Sequence, residues 1–234
     1  MGVYDGDSWS AEVQQVLRNA YERYPRLAAN SFDSQFEIVM IHYDPIFQSI
    51  VARWQSDADA IGELAGDVVP SQVDTLVGWL QNAGGSSFVW THAADVLLYR
   101  LSATVRERVK IHVARQIVEA VAEQYDEHDQ SRWSVIAHSL GTAVAHDALD
   151  MLATGDVPGV PISAFDPAIE QAQAIVMIAN TSRVLETVAD VYDSVVQPGK
   201  AGQAGRNCLR FLNFRHFLDP VSYTHLTLPT ICSV

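Results

Sequence analysis

Apolar residues along this chain fall into two rhythms, one helical and one continuous. Val13, Val16, Leu17, Ala20 and Tyr21 recur at helical spacing behind Ser10, a residue suited to capping, and Pro25 stops the run. The spacing predicts a helix here, preceded by a loop. Phe36 to Tyr43 is rich in aromatic and β-branched residues and closed by Asp44-Pro45, the pattern of a buried strand. Phe47, Ile50, Val51, Trp54, Ile61 and Leu64 mark a long helix, and Pro70-Ser71 opens another with Val73, Leu76, Val77 and Leu80 inside. Asn82-Ala83-Gly84-Gly85 breaks that helix. Residues 86–99 are ambiguous: Phe88-Val89-Trp90 fits a short strand and 93–101 fits a helix. Val105, Val109, Val113, Ile117 and Val121 then stand four apart along an amphipathic helix, and the polar run 126–132 reads as a loop.

The second half of the chain carries the sharper signal. Trp133-Ser134-Val135-Ile136-Ala137 is a short apolar strand pattern, and Leu140, Ala143, Val144, Ala148, Met151 and Leu152 repeat at helical spacing. Between them lies Ala137-His138-Ser139-Leu140-Gly141. A strand, a tight turn with serine at its apex, and then a helix is the context that gives a G-x-S-x-G-type pentapeptide its meaning. Such a turn holds the serine in a strained conformation with its hydroxyl above the sheet, and it asks for small residues two before and two after, here Ala137 and Gly141. The Leu140 amide, opening the helix, would face a carbonyl oxygen gaining negative charge. Farther on, 154–167 is a Gly/Pro-rich loop and 174–179 a buried strand. Thr181-Ser182 can cap a helix bearing Val184, Leu185, Val188 and Tyr192. A Gly-rich loop at 197–207 leads to a third buried strand, 208–214, which runs on to Asp219-Pro220.

Continuous apolar strands separated by helices imply an α/β fold, with a mostly parallel sheet covered by helices on both faces. Ligands of such sheets bind beyond the carboxyl ends of the strands, and Ser139 and Asp219 both follow such ends.

Composition narrows the classes. At 234 residues and 48% hydrophobic content, the chain has the makings of one globular domain. A net charge of −13 argues against a nucleic-acid partner. No run approaches the roughly 20 apolar residues of a membrane span. Cys208 and Cys232 have neither metal-ligand spacing nor the density of a disulfide framework, and no secretory leader is visible, so the expected setting is cytoplasmic.

The elbow 137–141, the strand-and-helix succession after it, and the strand leading into Asp219-Pro220 resemble the α/β-hydrolase superfamily, its lipase- or esterase-like members in particular. A helix before the 36–43 strand also follows the family's order. The resemblance spans most of the chain as architecture, and the elbow and Asp219-Pro220 as motif. It implies a serine hydrolase acting on an ester, with lipid and other apolar acyl substrates among the candidates, in which Ser139 is the nucleophile, Asp219 the acid and the Leu140 amide an oxyanion donor. It implies no cofactor or metal, and ester hydrolysis, amide cleavage and acyl transfer stay open. Ala137 in place of the first glycine is a common variant.

Two departures shape the expectation. The family's base follows its acid, yet only His225 follows Asp219. The segment Val221-Ser222-Tyr223-Thr224-His225-Leu226-Thr227-Leu228-Pro229-Thr230 resembles a translated transposon adapter of sequencing libraries, so 221–234 is expected to be a non-native tail on a hydrolase-like domain at 1–220. The family's His-Gly loop, which supplies the other oxyanion donor, would precede Gly2. The expectation is therefore a domain incomplete at both ends, inactive in this form for want of the base.

The remaining candidates have plainer readings. His138 neighbours Ser139 on a strand and so faces the other way. His146 and Asp147 lie about two helical turns beyond the serine, and Asp147, on an apolar phase, calls for a hydrogen-bonding partner. His216 reads as a rim residue, and His42-Tyr43-Asp44 as a loop end at that rim. His92, Asp95, His112 and His128 share no metal spacing, and Trp79, Trp90 and Tyr99 read as core. A non-catalytic scaffold that keeps the elbow as fold geometry is the alternative to the enzyme.

Overall fold

The structure is a computed structural model. It describes residues 6–26, 30–50, 52, 53, 56, 99, 100, 102–128, 132–155, 157–161, 164–166, 169–182, 196–199 and 207–214. Three strands, β1 (Ser134–His138), β2 (Ala174–Ile178) and β3 (Phe211–Phe214), form a parallel sheet in the order β1-β2-β3. Among the described residues the longer helical runs are α1 (Gly6–Glu22), α2 (residues 44–50), α3 (Ala103–His128) and α4 (Leu140–Thr154). The class is α/β, as the alternation of apolar runs implies.

The sheet register explains the burial. Val135 pairs with Ile175 and Ile175 with Phe211, while Ala137 pairs with Met177 and Met177 with Asn213. Successive side chains alternate, so these residues share one face. Ala137, Ile175 and Met177 on that face are buried in the core. Helix α4 connects β1 to β2, packs on β1, and is packed in turn by α3. Val105, Val109, Val113, Ile117 and Val121 are all buried, as their four-residue spacing predicts. Helix α4 is buried along most of its length because it lies between the sheet and α3. The opposite sheet face carries Ile136, Ile178, Leu212 and Phe214, which remain exposed among the described residues. The expected two-sided covering is therefore found on one face of the described sheet.

Several boundaries differ from expectation. Ser10 lies inside α1, which begins at Gly6. Helix α3 continues through Asp126 to His128, where a loop was expected. The ladder of β3 starts at Phe211, with Cys208 in isolated bridges to Ala172 and Pro198, and β3, expected to be buried, is exposed at residues 212–214.

The larger correction concerns residues 36–43, which form no strand. Phe36 stacks on Phe32, with ring centroids 5.1 Å apart, and meets Tyr21 of α1 edge-on at 5.8 Å. Its apolar surface thus serves a small aromatic cluster beside the Arg18–Asp33 ion pair. The backbone at His42 finds its partners on a side chain: His42 N–H donates to Gln116 Oε1 at 3.1 Å, and Gln116 Nε2 donates to the His42 carbonyl at 2.9 Å. One amide side chain on α3 replaces a neighbouring strand at that position. Ile41 and Tyr43 still pack against the core.

Candidate active site

Ser139 sits one residue past β1 and caps α4, with φ 52° and ψ −127°. A non-glycine residue there is strained by about 1–3 kcal/mol and persists only when its surroundings over-determine it. Serine is a favoured helix cap because its oxygen can accept an N–H of the first turn. Here the Ser139 side chain makes no cap hydrogen bond. The side chain is half-buried.

The backbone of Ser139 is tied on both sides. Its N–H donates to the Ile178 carbonyl at 3.0 Å, extending the β1–β2 ladder by one residue. Its carbonyl accepts three hydrogen bonds: from Thr142 N–H at 2.9 Å, from Thr142 Oγ1 at 2.6 Å and from Thr181 Oγ1 at 2.9 Å. Thr142 Oγ1 also accepts from Thr181 N–H at 2.9 Å. Thr142 and Thr181 are both buried. The chain leaves β2 by a similar step: Ala179 has φ 50°, and its N–H donates to the Phe214 carbonyl. Thr181, expected to help cap the next helix, spends its hydroxyl on Ser139. The Asn180 side chain accepts the Ser182 N–H in its place.

Crowding around the elbow is milder than the pentapeptide suggests. A Cβ on Gly141 would stand 3.4 Å from the Tyr43 hydroxyl, an ordinary contact with a side-chain tip. Tyr43, read as part of a rim loop, thus lies over the first turn of α4. Leu140 is buried in that first turn.

Two turns along α4, Asp147 receives a bidentate ion pair from Arg106 of α3, Nε to Oδ2 at 2.7 Å and Nη2 to Oδ1 at 2.9 Å. The hydroxyl of Tyr99, which is fully buried, donates to Asp147 Oδ2. Burial pushes the Asp147 carboxyl upward, but the neighbouring His146, with Nδ1 3.7 Å from Oδ1, and the hydrogen bonds from Arg106 and Tyr99 outweigh it and bring the group down to about 2. Burial, followed by the neighbouring carboxylate, drives the Tyr99 phenol strongly upward, so it stays protonated. The partner that the apolar phase of Asp147 demanded is thus a cation from the next helix. The cluster braces the elbow helix and sits too far along α4 to touch chemistry at Ser139.

Asp219 lies outside the described residues, as do His216, His225, His92, Asp95, Trp79, Trp90 and the 221–234 tail. His138 is exposed on the strand, and its register with Ile178 and Phe214 places it on the uncovered face. His112 is exposed on α3. A cavity of about 10 Å³, lined by Trp133, Leu149, Phe165 and Asn207 among others, lies toward the far end of α4. At about 1.5 Å per helical residue, Leu149 is some 15 Å from the elbow, so this water-sized space is unconnected with Ser139. Among the described residues no helix is long and apolar enough to cross a membrane.

Sequence reasoning singled out Ser139 and Leu140 but missed the roles of Thr142 and Thr181. The signal for Thr142 was available: a threonine in a first helical turn can bond the carbonyl three residues back. The signal for Thr181 was not, because its contact depends on two strand ends lying side by side. Compared with family models, curated proteins and solved structures, the chain finds no match.

Proposed function

We propose that this chain carries the nucleophilic centre of a serine hydrolase acting on a carboxylic ester. In this reading the Ser139 oxygen attacks the ester carbonyl, the ester C–O bond breaks to release the alcohol, which takes up the proton drawn from Ser139, and water then cleaves the acyl-enzyme to free the acid. A histidine takes the serine proton, and Asp219 holds that histidine in the required tautomer. The Leu140 N–H stabilises the oxyanion. The observation that carries the reading is the left-handed serine at a strand–helix turn whose hydroxyl is not used as a cap. An ordinary capping serine has extended backbone and no strain to maintain. Strain held at a nucleophilic side chain beyond the carboxyl end of a parallel strand is the arrangement that acyl transfer needs.

The test is fluorophosphonate labelling of the protein expressed from its full-length gene. Labelling at Ser139, abolished in Ser139→Ala, is the expected result. A folded protein that does not label, or one that labels equally in Ser139→Ala, would remove the hydrolase reading and leave the elbow as fold geometry in a non-catalytic scaffold.

A further inference from the structure

The Ser139 carbonyl and the Leu140 N–H belong to one peptide unit. That unit is planar, with oxygen and hydrogen on opposite sides, so whatever fixes the oxygen also fixes the direction of the N–H. Three donors fix this oxygen: the Thr142 N–H, the Thr142 hydroxyl and the Thr181 hydroxyl. The two hydroxyls come from different elements, one from the first turn of α4 and one from the segment after β2. They are joined to each other, since Thr142 Oγ1 accepts the Thr181 N–H while donating its own proton to Ser139. Both residues are β-branched, so their χ1 angles are stiff and the donors are held in place.

We propose that Thr142 and Thr181 are positioning residues that orient and polarise the Leu140 amide as an oxyanion donor; this rests on the hydrolase reading above. Hydrogen bonds to a carbonyl strengthen the donor at the other end of the same amide. A donor aimed where the transition-state oxygen gains charge acts on turnover more than on substrate binding. Removing a supporting hydroxyl should therefore lower kcat and leave KM nearly unchanged. A residue that only filled space would be replaced adequately by valine and would show no such split.

The variants are Thr181→Val, which keeps shape and loses the hydroxyl, and Thr181→Ser, which keeps the hydroxyl. Thr142→Val is a second test, with folding checked by circular dichroism because it also strands the Thr181 N–H. The readouts are p-nitrophenyl butyrate turnover by the protein expressed from its full-length gene and the carbonyl carbon resonance of Ser139 by NMR, which reports its hydrogen bonding without any catalysis. Thr181→Val should lower kcat about ten-fold or more, with KM within two-fold and the Ser139 carbonyl resonance moved upfield. Thr181→Ser should return kcat to within about three-fold of the parent. An active parent with Thr181→Val matching it in kcat and in carbonyl resonance overturns the proposal alone, as does a serine variant no better than valine. A parent that neither labels with fluorophosphonate nor turns over the ester removes the hydrolase reading and the proposal together.

Discussion

Replacing Arg106 with methionine is the most direct probe of what holds the elbow helix in place. Methionine keeps much of the apolar stem and deletes the guanidinium. Asp147, 7% exposed, then loses both bonds of its bidentate pair and retains the Tyr99 hydroxyl. Removing one partner of a buried pair costs about 3–5 kcal/mol, because the remaining charge is left uncompensated. The Arg106 side chain is 23% exposed, which places the expected loss near the low end, about 3 kcal/mol. In a domain of this size that corresponds to a Tm drop of about 6–12 °C. The pH dependence gives an independent check. In the parent the carboxyl is depressed from 3.8 to about 2, so its contribution is present above the ordinary carboxylate range and is lost as pH falls through about 2. In Arg106→Met the carboxyl keeps His146 and Tyr99 but loses the guanidinium, so it takes up its proton at a higher pH than in the parent. The deficit relative to the parent should therefore shrink between pH 7 and pH 4. Urea unfolding of both proteins at the two pH values, with equal m-values, measures it. A deficit below 1 kcal/mol at pH 7, or one that widens toward pH 4, would refute the reasoning.

Two further changes test the elbow and the segment before α2. Ser139→Gly and Ser139→Ala delete the same hydroxyl, but only glycine relieves the φ of 52°. Strain of about 1–3 kcal/mol set against a glycine entropy cost of about 0.5–1 kcal/mol predicts that the glycine variant is the more stable by roughly 1 kcal/mol in urea unfolding. Equal stability of the two would show that the turn is relaxed. Gln116→Ala removes both hydrogen bonds to His42 and should cost about 1 kcal/mol, with faster amide exchange at His42. Unchanged exchange at His42 would mean that the segment is held by packing alone.

What the sequence determined by itself is local. The four-residue apolar spacing placed the buried face of α3, and the apolar runs at 133–137 and 174–179 placed two parallel strands to within a residue. The pentapeptide at 137–141 located the turn whose serine takes a positive φ. Each of these follows from side-chain periodicity or from steric limits within a few residues. What only the tertiary structure decided involves partners far apart in the chain. The run 36–43 has the composition of a strand, yet Phe36 is drawn to Phe32 and Tyr21, and a single glutamine on α3 takes the backbone bonds at His42. The ion pair at Asp147 joins residues 41 apart, and the hydroxyl of Thr181 reaches the Ser139 carbonyl across 42 positions. A hydrogen bond fixes no sequence separation, so which donor meets which acceptor is set by how the strands lie side by side and how the helices pack.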